Sequence, residues 1–295
     1  MGRLKMVYDV LIVGAGPAGI TAAIHAGAEG LKALVIEHDT LGGEFKHTSL
    51  VENYYGFPEG ITGIDLVERG REQALRMGAT IVQDTVAEIS HNGDEFTIKC
   101  TGFGRYVGKT IILANGLKFR ELPINNPKVH YGPGDANEFK GKKIAVVGGG
   151  NSAGQFVQYA SHLGCPIDLY VRNHTLDESM SAYLVERIIT DKNVTFYTNT
   201  DAWSVKFDLY EASYVFIGMT PDTKFLNGVV QLDDRGYVVC SGIHTSEPGI
   251  WCAGAVREGF ISRIQIAAGE GAACIAEILH HLQNLKTENH ELVGG

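Results

Sequence analysis

The chain has 295 residues, of which 44% are hydrophobic, and it carries a formal net charge of −9 at pH 7. This length suits two domains, and an acidic chain without a run of basic residues argues against nucleic acid as a partner. No uncharged stretch reaches the length of a membrane span, and the N-terminus leads directly into a predicted strand, so we expect a cytoplasmic protein with no signal peptide and no membrane partner.

The first predicted element is the apolar run 10–13, which is typical of a strand buried on both faces. It ends in Gly14-x-Gly16-x-x-Gly19, and a helix-like run over 20–26 follows. In this pattern the first glycine permits a tight turn, the second lets the backbone approach a pyrophosphate, and the third lets the helix pack closely on the strand. A second strand over 33–36 ends at Glu37, where a carboxylate suits the ribose hydroxyls of a nucleotide. The sequence therefore predicts a dinucleotide-binding fold at the N-terminus.

The next hundred residues predict loops, one helix and several strands. A glycine-hinged loop over 38–44 and an aromatic-rich loop over 51–58 precede a helix that starts at Thr62 and ends near Gly78. The runs 80–89 and 95–99 flank Asn92-Gly93, which is a hairpin signal. A strand over 110–114 follows, and it ends at Asn115-Gly116.

A second nucleotide-binding pattern lies in the middle of the chain. A buried strand over 143–147 is followed by Gly148-x-Gly150-x-x-Ala153 and by a helical run over 155–163. The next strand, over 166–171, ends at Arg172 without an acid. A cation at this position favours the 2′-phosphate of NADP over the free hydroxyl of NAD, although an ordinary solvated arginine at a strand end is the alternative.

The last third returns to small residues and buried strands. Runs over 214–218 and 250–255 predict strands, the second ends near Gly254, and a small-residue helix starts near Gln265. We therefore predict an α/β fold of two Rossmann-like, three-layer ββα domains. Residues 1–117 and 245–295 form the first domain, and residues 118–244 form an inserted second domain. Two such folds in one chain suggest a relay between a tightly bound flavin and an exchangeable nicotinamide.

Nearly the whole chain resembles the low-molecular-weight thioredoxin reductases. The segments that carry the resemblance are 14–19, 41–43, 51–53 with 56–58, 148–153, 216–223 and 268–271. The resemblance implies FAD on the first domain, NADPH on the second, and a homodimer. By position it implies FAD contacts from Gly14, Gly16, Pro17, Ala18, Gly19, Glu37, Gly42, Gly43, Glu44, Asn53, Gly116, Gly254 and Ala255. It likewise implies NADPH contacts from Gly148, Gly150, Asn151, Ser152, Ala153 and Arg172.

Four departures from the family pattern affect the expected chemistry. The family's redox Cys-x-x-Cys-Asp falls, by counting back from Gly148, on 131–135, where both cysteines are replaced and only Asp135 remains. The family's acid at the flavin ribityl chain is here Ala255, and its paired arginines are Arg172 and Asn173. The segment 203–214 is also shorter than the family's hairpin. Asp135 is the candidate catalytic residue, as a proton carrier near the flavin, with a solvated or capping aspartate as the alternative.

The five cysteines lie at scattered positions, namely Cys100, Cys165, Cys240, Cys252 and Cys274. No two form a C-x-x-C motif or a metal-ligand cluster, so we expect buried, reduced thiols and no metal site. A dithiol relay needs two sulfurs within bonding reach. Thioredoxin reduction by the dithiol route is therefore not expected.

The sequence leaves three functions open. The first is an NADPH-dependent flavin oxidoreductase with an unidentified acceptor, either a small molecule or a redox protein. The second is a flavin- or nucleotide-sensing regulatory module in which catalysis is weakened, because the cysteines and the ribityl acid are missing. The third is a ferredoxin–NADP reductase of the thioredoxin-reductase type, for which the short polar tail 286–295 gives poor support.

Overall fold

The structure is a computed structural model that describes residues 6–38, 42–43, 50–93 and 95–293. Its strands are β1 (Val7–Val13), β2 (Ala33–Glu37), β3 (Thr80–Gln83), β4 (Val86–Asn92), β5 (Glu95–Cys100), β6 (Arg105–Leu113), β7 (Leu117–Phe119), β8 (Val129–Tyr131), β9 (Ile144–Val147), β10 (Ile167–Tyr170), β11 (Val194–Tyr197), β12 (Ala212–Val215), β13 (Met219–Pro221) and β14 (Ile250–Cys252). Its α-helices are α1 (Pro17–Ala28), α2 (Gly63–Arg76), α3 (Asn151–His162), α4 (Ala182–Thr190) and α5 (Ile264–Val293). Short 3₁₀ helices lie at Asn137–Phe139, Ala202–Ser204, Phe207–Leu209 and Lys224–Leu226.

Packing divides the chain into two compact units. Unit 1 comprises Met1–Lys46, Glu52–Leu117 and Pro221–Gly295, and unit 2 comprises His47–Val51 and Lys118–Thr220. No helix in the described part of the chain combines the length and the apolar composition that a membrane crossing needs.

The sheet of unit 1 has the strand order β3-β2-β1-β6-β5-β4, and β14 pairs with β6. The strands β3, β2, β1, β6 and β14 pair in parallel, whereas β4 and β5 pair antiparallel. Because parallel strands point the same way, the carboxyl ends of β1, β2, β6 and β14 meet at one edge of this sheet. Ligands of open α/β sheets bind outside this edge.

Helices α1 and α5 cover one face of this sheet and approach each other closely. A Cβ on Gly271 of α5 would lie 2.1 Å from the carbonyl oxygen of Ala18 on α1. Alanines of α1 pack here with Ile275 and Ile278 of α5, all of them buried. Small residues at this contact therefore let the two helix backbones meet.

The other face of the sheet is covered in part by residues 221–244. Leu226, Val230 and Val238 are buried against Leu11 and Ile111 of the central strands. Unit 1 therefore resumes at Pro221, whereas the predicted first domain resumes at 245. The difference arises because these apolar residues are spaced without a helix or strand period.

Unit 2 has an all-parallel sheet with the order β11-β10-β9-β12-β8. Helix α3 follows the glycine turn after β9, as predicted, and it packs Phe156 and Val157 into the core. A separate two-stranded sheet contains β7 and β13. Parallel strands and a strand–glycine turn–helix arrangement in each unit confirm the predicted α/β fold class.

One local prediction is corrected by the structure. The run 80–89 contains two strands, because β3 pairs in parallel with β2 while β4 pairs antiparallel with β5. The hairpin turn at Asn92-Gly93 is present, with Gly93 at φ +68°. The tail from residue 286 is helical through Val293 as the end of α5, because it continues an established helix and does not have to nucleate one.

Candidate dinucleotide-binding sites

The loop between β1 and α1 has the geometry that its glycines predict. Gly14 has φ +99°, and a Cβ there would lie 2.4 Å from the carbonyl oxygen of Ala114. A Cβ on Gly19 would lie 1.9 Å from the carbonyl oxygen of Gly14. Side chains at these two positions would therefore force apart β1, β6 and α1.

Gly16 has a different role, because a Cβ there would meet nothing within 4 Å. It is the N-cap of α1, it makes no side-chain cap, and Pro17 occupies the first helical turn. A helix N-terminus carries unpaired N–H groups and a positive dipole end. The open space beside Gly16 thus fits a phosphate group held by backbone amides.

Glu37 ends β2 at the same edge of the sheet. Its side chain is 3% exposed, and its Oε2 accepts a hydrogen bond of 2.6 Å from the backbone N–H of Ala15. Its Oε1 lies 2.9 Å from Nδ1 of His38. The predicted ribose acceptor is therefore fixed to the glycine loop, and its carboxylate is oriented by that loop.

The ends of β6 and β14 complete this edge. Gly116 has φ +62° and Gly254 has φ +79°. Oδ1 of Asn115 is buried and has no hydrogen-bond partner among the described residues. A buried acceptor without a donor is costly, so this oxygen fits a donor group of a bound ligand.

A partly buried ion pair between Glu270 and Arg257 lies next to Ala255. Oε2 of Glu270 accepts the backbone N–H of Gly254 at 2.7 Å, and its Oε1 lies 2.5 Å from Nη2 of Arg257. Ala255 itself is partly buried. The turn from β14 toward α5 is therefore held by Glu270. The sequence shows Glu270 and Arg257 as charged residues near Ala255, but their directions depend on the fold.

The remaining predicted flavin contacts lie on loops. Gly42 has φ +101° and donates its N–H to the carbonyl oxygen of Ala15 at 3.2 Å. Gly43 has φ +55°. Glu44 lies outside the described residues. Asn53 is exposed, and its carbonyl oxygen accepts a hydrogen bond from the side chain of Gln265 at the start of α5.

The glycine turn of unit 2, between β9 and α3, has the same geometry as the glycine turn of unit 1. Gly148 has φ +148°, and a Cβ there would lie 2.5 Å from the carbonyl oxygen of Phe216. Gly150 is the N-cap of α3, makes no side-chain cap, and has open space where a Cβ would stand. Ala153 is fully buried and Ser152 is exposed. This turn also fits a phosphate at a helix N-terminus.

A loop before α4 contacts this turn. Ser179 donates its hydroxyl to the carbonyl oxygen of Gly149 at 2.8 Å, and Oδ1 of Asn151 accepts the N–H of Ser181 at 2.7 Å. The Asn151 side chain, predicted to contact the nucleotide, is thus engaged with this loop.

Arg172 follows β10 and is exposed. Among the described residues it has no hydrogen bond and no ion pair, while its neighbour Asn173 donates to the hydroxyl of Ser179 at 3.1 Å. An unpaired guanidinium at the carboxyl end of a strand beside a glycine turn is suited to bind a phosphate.

Asp135 forms a turn with its neighbours. Its Oδ1 accepts hydrogen bonds from the backbone N–H of Asn137 at 2.9 Å, from the side chain of Asn137 at 2.6 Å, and from the hydroxyl of Tyr159 at 3.1 Å. The bonds from Asn137 lower the pKa of this carboxyl. Asp135 is therefore held as a carboxylate, which suits the capping alternative better than a proton donor, and its catalytic role stays a prediction.

Comparison with known proteins defines the class. The model of the family "Pyridine nucleotide-disulphide oxidoreductase" matches residues 8–271. A thioredoxin reductase of Mycolicibacterium smegmatis is 34% identical over 302 residues, which covers 92% of this chain and 96% of that protein. The chain thus belongs to the pyridine nucleotide-disulphide oxidoreductases, in their thioredoxin reductase-like group, and this group uses FAD and NADPH.

Solved structures agree with this class. Thioredoxin reductase from T. acidophilum superposes with a TM-score of 0.82 at 26% identity and covers 95% of this chain and 99% of its own. Thioredoxin reductase from Lactococcus lactis in its FR conformation also gives 0.82, at 25% identity, and covers 92% of this chain and 98% of its own. The predicted pair of Rossmann-like folds is thereby confirmed.

Proposed function

We propose that this chain is an FAD-dependent NADPH oxidoreductase that passes electrons from NADPH through FAD to an external acceptor, without an active-site disulfide of its own. The observation that carries the proposal is that both glycine turns keep a binding geometry while the segment before the second turn has no cysteine.

In unit 1, the proposed FAD site is the carboxyl edge of the sheet. The N-terminus of α1 beside Gly16 would hold the pyrophosphate, and Glu37 would accept the ribose hydroxyls. Asn115, with its unpartnered Oδ1, and the backbone of Gly254 and Ala255 would complete the site. These residues fit the group that the family uses.

In unit 2, the proposed NADPH site is the turn from Gly148 to Ala153. The N-terminus of α3 beside Gly150 would hold the pyrophosphate, and Arg172 would bind the 2′-phosphate. One arginine replaces the two of the resembling family, so this contact depends on a single side chain.

The segment 131–135 supports electron transfer without a dithiol. By count, the two cysteines of the resembling family fall on Tyr131 and Gly134. A Cβ on Gly134 would lie 3.0 Å from the ring of Tyr214, so an aromatic ring fills the space where a side chain at this position would stand. Cys165 is the one cysteine between residues 118 and 220, and burial raises the pKa of its thiol.

When bound, NADPH supplies a hydride and FAD accepts it. The chain's own contribution is to hold the two nucleotides by their phosphates and riboses and to exclude water from the reacting rings. Specificity for the acceptor would then come from the surface that presents the reduced flavin.

The test is an anaerobic titration of the purified, flavin-loaded chain with NADPH, followed by an acceptor panel. We expect loss of the flavin absorbance with NADPH and its recovery with at least one acceptor among ferredoxins, quinones, dyes and disulfides. A flavin that binds but is not bleached by NADPH contradicts the oxidoreductase and favours the sensing module instead.

Thioredoxin belongs in the same panel, because the relatives are named thioredoxin reductases. If this chain reduced thioredoxin faster than free dithiols do, the electrons would have to reach thioredoxin by a route that uses no Cys-x-x-Cys of this chain. We expect thioredoxin to be a poor acceptor relative to an outer-sphere dye.

We further propose that the chain acts as a homodimer in the cytoplasm, as the resemblance implies. Sedimentation equilibrium of the purified protein is the measurement, with twice the chain mass as the expected result.

A further inference from the structure

Two side chains tie the residue after Arg172 to the glycine turn of unit 2. Nδ2 of Asn173 donates a hydrogen bond to Oγ of Ser179 at 3.1 Å, and the Ser179 hydroxyl donates to the carbonyl oxygen of Gly149 at 2.8 Å. Gly149 is the middle glycine of the turn between β9 and α3. A hydrogen-bond relay therefore runs from the end of β10 to the turn of the proposed pyrophosphate site.

The backbone is fixed on each side of Arg172. The N–H of Gly148 donates to the carbonyl oxygen of Tyr170 at 2.9 Å, so the glycine turn is bonded directly to the end of β10. The carbonyl oxygen of Asn173 accepts the N–H of Asn199 at 3.0 Å. Arg172 is exposed between these bonds, and its side chain makes no hydrogen bond or ion pair with the residues that the structure describes. The protein thus fixes the backbone of this arginine and leaves its guanidinium open to a ligand.

The loop that contains Ser179 is held on both sides of this residue. Oε1 of Glu178 accepts the backbone N–H groups of residues 174–175 at 3.0 and 3.1 Å, which closes this part of the loop into a turn. The N–H of Ser181 donates to Oδ1 of Asn151, the first residue of α3, at 2.7 Å. The Ser179 hydroxyl therefore has a fixed position beside the glycine turn.

We propose that Asn173 and Ser179 are positioning residues for nucleotide choice, which hold Arg172 where it meets the 2′-phosphate of NADPH. This inference rests on the proposed NADPH site. The pyrophosphate and the 2′-phosphate are attached to the same ribose, so the cation that binds one group must be fixed relative to the turn that binds the other. The resembling family has a second arginine where Asn173 stands, whereas this chain has an amide that bonds back to the protein. The relay thus fixes the one remaining cation in advance of binding.

The test is a double-mutant cycle on nucleotide binding to the full-length, flavin-loaded protein. Calorimetric titrations with NADP⁺ and with NAD⁺ give the dissociation constants of wild type, Asn173→Ala, Arg172→Ala and the double variant. We expect Asn173→Ala to weaken NADP⁺ by about 3- to 10-fold, which is the net effect of one neutral hydrogen bond, and to leave NAD⁺ unchanged. In the Arg172→Ala background the same change should have no effect on NADP⁺, because no guanidinium is left to position.

Ser179 supplies an independent pair of variants. Ser179→Ala removes the middle of the relay and should lower the preference for NADP⁺ as Asn173→Ala does. Ser179→Thr keeps the hydroxyl on an exposed side chain and should retain the wild-type preference. Ser204→Ala is the matched control, because it also removes an exposed hydroxyl of unit 2 that donates to a carbonyl oxygen, that of Asp201 at 2.6 Å, and it should change neither dissociation constant.

The outcomes separate this inference from the proposed function. Wild type that binds NADP⁺ no more tightly than NAD⁺ contradicts the proposed NADPH site itself. If wild type prefers NADP⁺, the positioning role is overturned when Asn173→Ala weakens both nucleotides equally, or weakens NADP⁺ as much without Arg172 as with it. It is also overturned when Asn173→Ala and Ser179→Ala both bind NADP⁺ as wild type does. Thermal unfolding of each variant, recorded alongside, shows that the compared proteins are folded.

Discussion

At the scale of single residues, Arg172 is expected to decide nucleotide preference. It is exposed and unpaired among the described residues, so Arg172→Ala removes a phosphate partner without breaking a contact in the protein. A charge-assisted hydrogen bond contributes about 1.5–3 kcal/mol, which is roughly 10- to 100-fold in affinity. We expect NADPH binding to weaken by that factor and NADH binding to change little, as measured by titration of each nucleotide.

The control for Arg172 is Lys192→Ala, which removes another exposed cation from unit 2. Lys192→Ala should not weaken the binding of either nucleotide by more than a general electrostatic effect. Equal losses of affinity for NADPH and NADH in Arg172→Ala would show that this arginine has a structural role.

Ala255 is the second residue whose effect can be measured. In the resembling family an acid at this position accepts hydrogen bonds from the ribityl hydroxyls. Here the Glu270 carboxylate, which holds the adjacent turn, is already bonded to Gly254 and Arg257. We expect Ala255→Asp to tighten FAD by roughly 10- to 100-fold, since a hydrogen bond to a charged group contributes about 1.5–3 kcal/mol. The measurement is a titration with FAD of flavin-stripped wild type, Ala255→Asp and Ala255→Leu. Unchanged or weaker FAD binding by Ala255→Asp would show that the site is rebuilt around alanine.

At the scale of elements, the contact between α1 and α5 depends on one glycine. Gly271 is buried, and a Cβ there would lie 2.1 Å from the backbone oxygen of Ala18. Gly271→Ala must push the helices apart, and we expect the loss of about 1–3 kcal/mol that overpacking causes. Gly269, two residues earlier, is exposed and has open space, so Gly269→Ala should stabilise α5 by about 0.5–1 kcal/mol through helix propensity.

Urea unfolding of both variants, in flavin-stripped protein so that ligand binding does not add to stability, measures the difference. The matched pair isolates the packing effect because both changes are glycine to alanine on one helix. Equal stabilities would mean that α1 and α5 adjust to an added methyl group.

At the scale of the whole molecule, local geometry could be predicted from the sequence and long-range packing could not. Gly14 and Gly148 were found because a tight turn after a strand requires glycine whatever the rest of the chain does. The burial of Val230 and of Val238 depends on how a non-periodic segment folds back. Only the tertiary structure determines those contacts, so sequence spacing gave no signal for them.

The positions of the cysteines bear on electron flow through the molecule. The segment 131–135 has no cysteine, so the proposed electron path from NADPH to FAD uses no thiol of that segment. We expect a variant with Cys240→Ser and the other four cysteines changed to Ala to be bleached by NADPH as fully as wild type, since hydride transfer between the nucleotides needs no sulfur.

The measurement compares anaerobic NADPH titrations of wild type and the five-cysteine variant. Bound flavin and thermal unfolding are recorded alongside, because three of the replaced thiols, Cys165, Cys252 and Cys274, are fully buried and their removal leaves small cavities. If the variant keeps its FAD and its fold but is no longer bleached, sulfur lies in the electron path. Full bleaching of the variant would show that reduction of the flavin needs no thiol of this chain.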